Sequence, residues 1–121
     1  IGYLFDWLKE HGVCRVVLAL GQQNEDLAEA FPPGRVPGLD LVPVFEHTRL
    51  ESGGAIRNAV SEIGIDSRFV VLNGDVYVDF DLNDAIAAHT DSEAKLTIAL
   101  AEVDDPSSFG VAVSPTSSES K

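Results

Sequence analysis

RFVVLNGDVYVDFDLND, residues 68–84, passes from an apolar run straight into a cluster of acids. Phe69, Val70, Val71 and Leu72 are consecutive, mostly β-branched or aromatic, and too few for a helix, the pattern of a strand covered on both faces in a parallel sheet. The run stops at Asn73-Gly74-Asp75, which predicts a carboxylate at the carboxyl end of a central strand, with a glycine that lets a ligand or another backbone come close. In open α/β sheets that edge is where ligands bind. Asp75 is therefore the leading candidate, and the chain on either side decides what it can do.

Upstream, residues 2–11 carry Leu4, Phe5, Leu8 and, more loosely, Trp7 at helical spacing, with Gly12 as the stop. RVVLAL, residues 15–20, predicts a buried strand, and a helix follows from a cap at Asn24 to about Phe31, with Leu27, Ala28, Ala30 and Phe31 inward. Pro32-Pro33-Gly34 ends it in a surface loop. LDLVPVFEH, residues 39–47, alternates at first and contains Pro43, which suits a strand nearer the sheet edge. After the glycine-bearing LESGGA, residues 55–63 place Ala55, Ile56, Ala59, Val60 and Ile63 on one helical face, and Gly64 stops that helix.

Downstream, Asp81 offers a cap to a helix from about Leu82 to His89, so part of the acidic cluster has a structural explanation. KLTIALAEV, residues 95–103, predicts a further strand, FGVAV, residues 109–113, the last one, and the polar SPTSSESK a frayed tail. Strands alternating with helices of about ten residues predict a Rossmann-like layered α/β sheet, mostly parallel, with right-handed crossovers. At 121 residues the whole is one domain, or a piece of one.

Composition narrows the partners. Twenty acids against eight bases give a net charge of −12, which argues against nucleic acid, whose phosphates need basic patches. Acids spread over most surface segments, with three lysines among the eight bases, also suit adaptation to high salt. No apolar run approaches the roughly 18 residues of a membrane span, and no leader-like progression opens the chain, so a soluble protein in a cytoplasmic setting is expected. Cys14 is the single cysteine, which excludes an internal disulfide, and its place beside a strand predicts a packed small hydrophobe. Methionine is absent even at position 1 and the chain starts inside an amphipathic helix, so the sequence reads as a fragment.

Three constellations bear on chemistry. EHTRLESGGAI, residues 46–56, lies between a strand and a helix, and Gly53-Gly54 at the helix entrance can expose backbone N–H groups to an anion or a nucleotide. The same glycines equally serve close packing of the helix on the sheet, and neither a dinucleotide fingerprint nor a P-loop is present. Asp75 supplies the hard oxygen that Mg²⁺ takes together with phosphate oxygens and water, or a phosphoacceptor, or a solvated strand end. Asp79 and Asp81 read as loop and cap residues. His11, His47 and His89 show no ligand spacing, and no nucleophile elbow is present.

EHTRLESGGAIRNAV, then FVVLNGDVYVDFDL, then IAAHTDSEAKLTIALAEVDDPSSFGVAV resemble, in this order, the middle of a sugar-phosphate nucleotidyltransferase. The resemblance covers nearly the whole chain and implies the nucleotide-diphospho-sugar transferase type of fold, with transfer of a nucleotidyl group from a nucleoside triphosphate to a sugar 1-phosphate and release of pyrophosphate. It makes Asp75 the catalytic Mg²⁺ ligand and places Glu51, Ser52, Gly53, Gly54, Asn73 and Gly74 at the nucleotide and Phe109 and Gly110 at the sugar. Small-molecule substrates are the implied partners, and a homo-oligomer is left open. In-line attack of the sugar phosphate oxygen on the α-phosphorus, with no covalent bond to the protein, is the implied mechanism.

Two departures qualify it. Many relatives carry P-L-G-T-A-G where this chain has R-L-E-S-G-G, so Glu51 replaces a glycine, although an L-E-T-G-G form occurs in branches acting on other sugars. The family's triphosphate loop, G-G-x-G-T-R-L with a downstream P-K-P, belongs before Ile1, and its later lysine and second metal-binding acid belong after Lys121, so residues 1–121 alone are expected to be catalytically incompetent. The alternative is a non-catalytic regulatory or binding module of the same fold, distinguished by loss of that upstream loop. A receiver-like phosphoacceptor domain would need an acidic pair near the first strand and a later lysine, and the order of residues does not supply them.

Overall fold

A computed structural model describes residues 1–108 and 110–112, and the chain divides into two compact units, Ile1–Asp81 and Leu82–Lys121. The first unit is built as α1 (Gly2–Glu10), β1 (Arg15–Leu20), α2 (Glu25–Ala30), β2 (Asp40–Phe45) and α3 (Glu51–Ile63). β1 and β2 pair in parallel, from Arg15 opposite Asp40 to Leu20 opposite Phe45. α2 is the crossover between them, so the central feature of a layered α/β fold is present.

One face of this strand pair carries a cluster of leucines. Leu18 and Leu20 of β1, Leu41 of β2 and the preceding Leu39 are buried with Phe5 of α1. Leu27, Ala28 and Phe31 from α2 and its end pack on the same cluster, and Phe5 meets Phe31 edge to face at 5.1 Å between ring centroids, a favoured geometry for aromatic pairs. α1 and α2 thus cover the same side of the strands, whereas α3 lies against β1. Ala30, expected to face inward, is exposed. A six-residue helix has too few turns to bury a broad stripe, and Leu27 and Ala28 already fill the contact.

Helix ends follow the glycines. Gly12, at φ 79°, donates to the Lys9 carbonyl just past α1, and Gly64, at φ 70° and ψ 43°, donates to Val60 to close α3. Both use the left-handed conformation that glycine adopts without a Cβ penalty. Strand ends are tied by Asp40 N–H donating to the Cys14 carbonyl at 2.8 Å and Glu46 N–H to that of Leu20 at 2.9 Å. Cys14 itself is exposed rather than packed. It lies before β1 begins, where its backbone carbonyl, not its side chain, makes the contact.

The strand expected over residues 68–72 does not form. Phe69, Val70 and Val71 are half-exposed, at 50%, 47% and 50%, and no ladder hydrogen bond joins this run to a neighbour among the described residues. The second unit repeats that outcome. Its helix α4 (Leu82–Asp91) forms as expected, but residues 95–103 pair with no strand among the described residues, and Leu96, Ile98 and Leu100 are largely exposed. An apolar run signals burial on both faces, and burial is a property of the neighbours. Without partner strands the pattern has nothing to pair with. His89 bonds Thr97 Oγ1 at 2.8 Å within this unit, and a 3₁₀ helix forms at Pro106–Ser108, with Asp105 Oδ1 accepting from Ser107 N–H at 3.0 Å. The strand expected over residues 109–113 falls partly outside the described residues, and Gly110–Ala112 is not a strand.

Candidate functional site

Parallel strands bring their carboxyl ends to one edge, so Gly21-Gln22 after β1 and Glu46–Leu50 after β2 emerge side by side. Gln22 donates its side-chain amide to the His47 carbonyl there. Glu46 turns back so that its Oε2 accepts Leu50 N–H at 3.2 Å, which tethers the loop leading into α3. Asn58 Nδ2 reaches the Phe45 carbonyl at 3.5 Å. Loop and helix are thereby attached to the strand edge where open α/β sheets receive ligands.

α3 begins earlier than the sequence pattern suggests. Glu51, Ser52, Gly53 and Gly54 form its first turn rather than a loop before it. An unhindered N-terminal turn has free N–H groups aimed outward, the arrangement that favours anions. The two glycines differ in surroundings. A Cβ at Gly53 would meet nothing within 4 Å, whereas one at Gly54 would lie 2.7 Å from Leu50 Cβ. Gly54 is therefore required by packing, and Gly53 is free to face a ligand.

Glu51 has φ 58°, a left-handed conformation that costs a residue with a Cβ and none for glycine. The first residue of α3 is thus a glutamate held in a backbone conformation that favours glycine. Its carboxylate pairs with Arg49 at 3.4 Å, with both side chains mostly in water, a contact of little weight.

A cavity of about 210 Å³ opens beside this turn, lined by Leu50, Gly54, Arg57, Asn58 and Ser61. Sequence reading did not single out Arg57 and Asn58. Their spacing of three and four from Gly54 is the signal that puts them on its helical face.

Asn73, Gly74 and Asp75 lie together in the first unit, with Gly74 and Asp75 in a turn and all three exposed. Asp75 is thus presented to solvent from a turn rather than from a strand end. Gly110 is exposed with open space where a Cβ would be, and Phe109 lies outside the described residues. No group of three or more His, Cys, Asp or Glu that could hold a metal ion occurs among the described residues. A single carboxylate with open solvent around it still fits Mg²⁺, which keeps waters and phosphate oxygens and needs only one or two protein carboxylates. No helix among the described residues is long and apolar enough to cross a membrane.

The family model described as nucleotidyl transferase matches residues 1–120. The chain belongs to the nucleotidyl transferase family. It is 28% identical over 111 residues to D-glycero-alpha-D-manno-heptose 1-phosphate guanylyltransferase of Aneurinibacillus thermoaerophilus, a match over 92% of this chain and 47% of that protein. It is 34% identical over 110 residues to probable mannose-1-phosphate guanylyltransferase 3 of Arabidopsis thaliana, covering 88% of this chain and 33% of that protein. UTP–glucose-1-phosphate uridylyltransferase of Synechocystis sp. is 27% identical over 124 residues, with 92% and 32% covered. The chain therefore spans less than half the length of these curated relatives. No solved structure matches it.

The fold expected from the sequence is that of the family, a nucleotide-diphospho-sugar transferase type of α/β domain, and the parallel pair β1–β2 with α2 between its strands is the part of it that these residues build.

Proposed function

We propose that the protein carrying this chain transfers a nucleotidyl group from a nucleoside triphosphate to a sugar 1-phosphate, releasing pyrophosphate. The family match over residues 1–120 carries this reading. Relatives named as guanylyltransferases acting on mannose 1-phosphate and a manno-heptose 1-phosphate make GTP with a manno-configured sugar 1-phosphate the first pair to try. A uridylyltransferase among the relatives keeps UTP with glucose 1-phosphate in the panel.

In this reading the first turn of α3, with Ser52 and Gly53, and the Asn73-Gly74 stretch contact the nucleotide, and Asp75 holds Mg²⁺. Phe109 and Gly110 approach the sugar. The bound ion supplies neutralisation of charge on the triphosphate. The chain's own task is to orient the sugar phosphate oxygen in line with the α-phosphorus and to exclude misaligned approach, since positioning supplies much of the rate when no covalent bond to the protein forms. A bond from that oxygen to the α-phosphorus forms as the bond to pyrophosphate breaks.

The deciding experiment incubates the full-length protein with Mg²⁺, each common nucleoside triphosphate and a panel of sugar 1-phosphates, and follows pyrophosphate. Release with at least one pair is expected. Its absence with every pair would replace the enzyme reading by that of a non-catalytic module.

A further inference from the structure

α1 has a second face, away from the leucine cluster of β1 and β2, and that face runs along the segment that carries Asp75. Phe5 points to the leucine core of β1 and β2, while Tyr3 and Trp7 of the helix and His11 at its C-terminal cap, spaced four apart, share another side. Tyr3 stacks on Tyr77 with ring centroids 4.7 Å apart and planes 15° from parallel, and its hydroxyl donates to the Val78 carbonyl at 2.8 Å. Trp7 meets Phe80 edge to face at 5.4 Å. His11 Nδ1 bonds the Trp7 carbonyl at 2.8 Å, which leaves Nε2 facing Asp81 Oδ1 at 3.8 Å. At the other end of the helix, a Cβ on Gly74 would lie 3.7 Å from Ile1 Cδ1. Contacts from Ile1 to His11 thus follow the segment from Gly74 to Asp81 in the same order.

This segment has no secondary structure of its own beyond the Gly74–Asp75 turn, so its position comes from what it touches. Val78 is buried and Tyr77 is 76% exposed, which means that Tyr77 is held by its stack on Tyr3 rather than by enclosure. Tyr77 follows Asp75 by two positions, a span of at most roughly 7 Å. Fixing Tyr77 and Val78 therefore restricts where the Asp75 carboxylate can sit. A site whose chemistry depends on positioning is sensitive to displacements on the order of 1 Å.

We propose that the Tyr3–Trp7–His11 face of α1 is a positioning clasp that holds residues 77–81 and thereby sets the place of the Asp75 carboxylate. None of the three residues contacts substrate in this scheme. They act through the segment. The proposal rests on the reading of Asp75 as the metal-holding group, and its test separates the two.

In the full-length protein, Tyr3→Ala removes both the stack and the hydrogen bond, and Tyr3→Phe keeps the ring alone. The first readout is chymotryptic cleavage after Tyr77 and Phe80, mapped by mass spectrometry, which follows local opening. The second is binding of Mn²⁺ in the presence of inorganic pyrophosphate, read by electron paramagnetic resonance, with Asp75 intact and in the Asp75→Asn background. Tyr3→Ala is expected to raise cleavage by up to about tenfold, as when cleavage tracks the open population. It is also expected to weaken Mn²⁺ binding where Asp75 is intact and to leave it unchanged in the Asp75→Asn background. Tyr3→Phe is expected to restore most of both. If Tyr3→Ala does not fold, Tyr77→Ala removes the stack from its solvent side, with cleavage after Phe80 as the readout. Unchanged cleavage, or raised cleavage with unchanged Mn²⁺ binding, overturns the clasp. If Asp75→Asn alone leaves Mn²⁺ binding intact, the metal reading of Asp75 fails, and the positioning role assigned to the clasp fails with it, while the cleavage result still decides whether α1 holds the segment.

Discussion

The Tyr3 hydroxyl donates to the Val78 carbonyl across 2.8 Å, joining α1 to a segment 75 residues further along the chain. Only the neutral phenol can donate, and the surroundings favour that form. Desolvation raises the Tyr3 pKa above its ordinary value, and the neighbouring Tyr77, Asp79 and Glu10 push it the same way. A pKa raised in the folded state means that the contribution of this group is fully present below the unfolded value of about 10 and is lost as pH rises through the higher folded value. Ultraviolet difference absorbance against Tyr3→Phe should therefore show Tyr3 ionising above the ordinary tyrosine range. Ionisation at or below that range would contradict the arrangement.

The two glycines of the α3 entrance should respond in opposite ways to alanine. At Gly53 nothing obstructs a Cβ, so Gly53→Ala gains up to about 1 kcal/mol of helix propensity. At Gly54 the same gain meets a 2.7 Å approach to Leu50 Cβ, the root of a side chain and not its flexible end. Overpacking of that kind costs about 1–3 kcal/mol, so the clash prevails. Denaturant midpoints of the two variants should fall on either side of the parent, and equal midpoints would refute the packing role of Gly54.

Glu51→Gly tests the left-handed backbone at φ 58°. Relief of that conformation is worth roughly 1–2 kcal/mol, and the larger unfolded-state freedom of glycine takes back about 0.5–1 kcal/mol. Stability should therefore rise by up to about 1.5 kcal/mol in a denaturant titration. A loss of more than about 1 kcal/mol would show that the Glu51 side chain contributes more than its exposed pairing with Arg49 suggests.

Asp75→Asn should separate function from stability. Asp75 is exposed in a turn, and changes at such positions usually stay within about 0.5 kcal/mol, so the melting temperature should hold. Pyrophosphate release by the full-length protein should be lost. Retained turnover would remove Asp75 from its proposed role at the metal.

Local residues made much of the first unit legible. Arg15–Leu20 forms the strand its apolar run announces, Gly12 and Gly64 end their helices, and Pro43 sits in a short strand next to β1. Each depends on φ, on a missing N–H or on a stretch of a few residues, all of which are written in neighbouring positions. Phe69–Leu72 and Lys95–Val103 carry the same kind of signal without the outcome. A β-strand is completed by hydrogen bonds to another strand, and among the described residues none lies beside them.

The site divides in the same way. Asn73-Gly74-Asp75 and Gly53-Gly54 could be picked out as a carboxylate beside a glycine and a helix entrance because residue type and order carry that information. That Gly54 is held by Leu50, that Glu51 adopts a glycine conformation, and that Tyr3, Trp7 and His11 run along residues 77–81 could not. The sequence by itself determined the family and the residues available for chemistry. The tertiary structure decided which face of α1 serves the core and which holds the Asp75 segment, because that depends on side chains brought together from positions about 75 apart, and no local pattern encodes such a meeting.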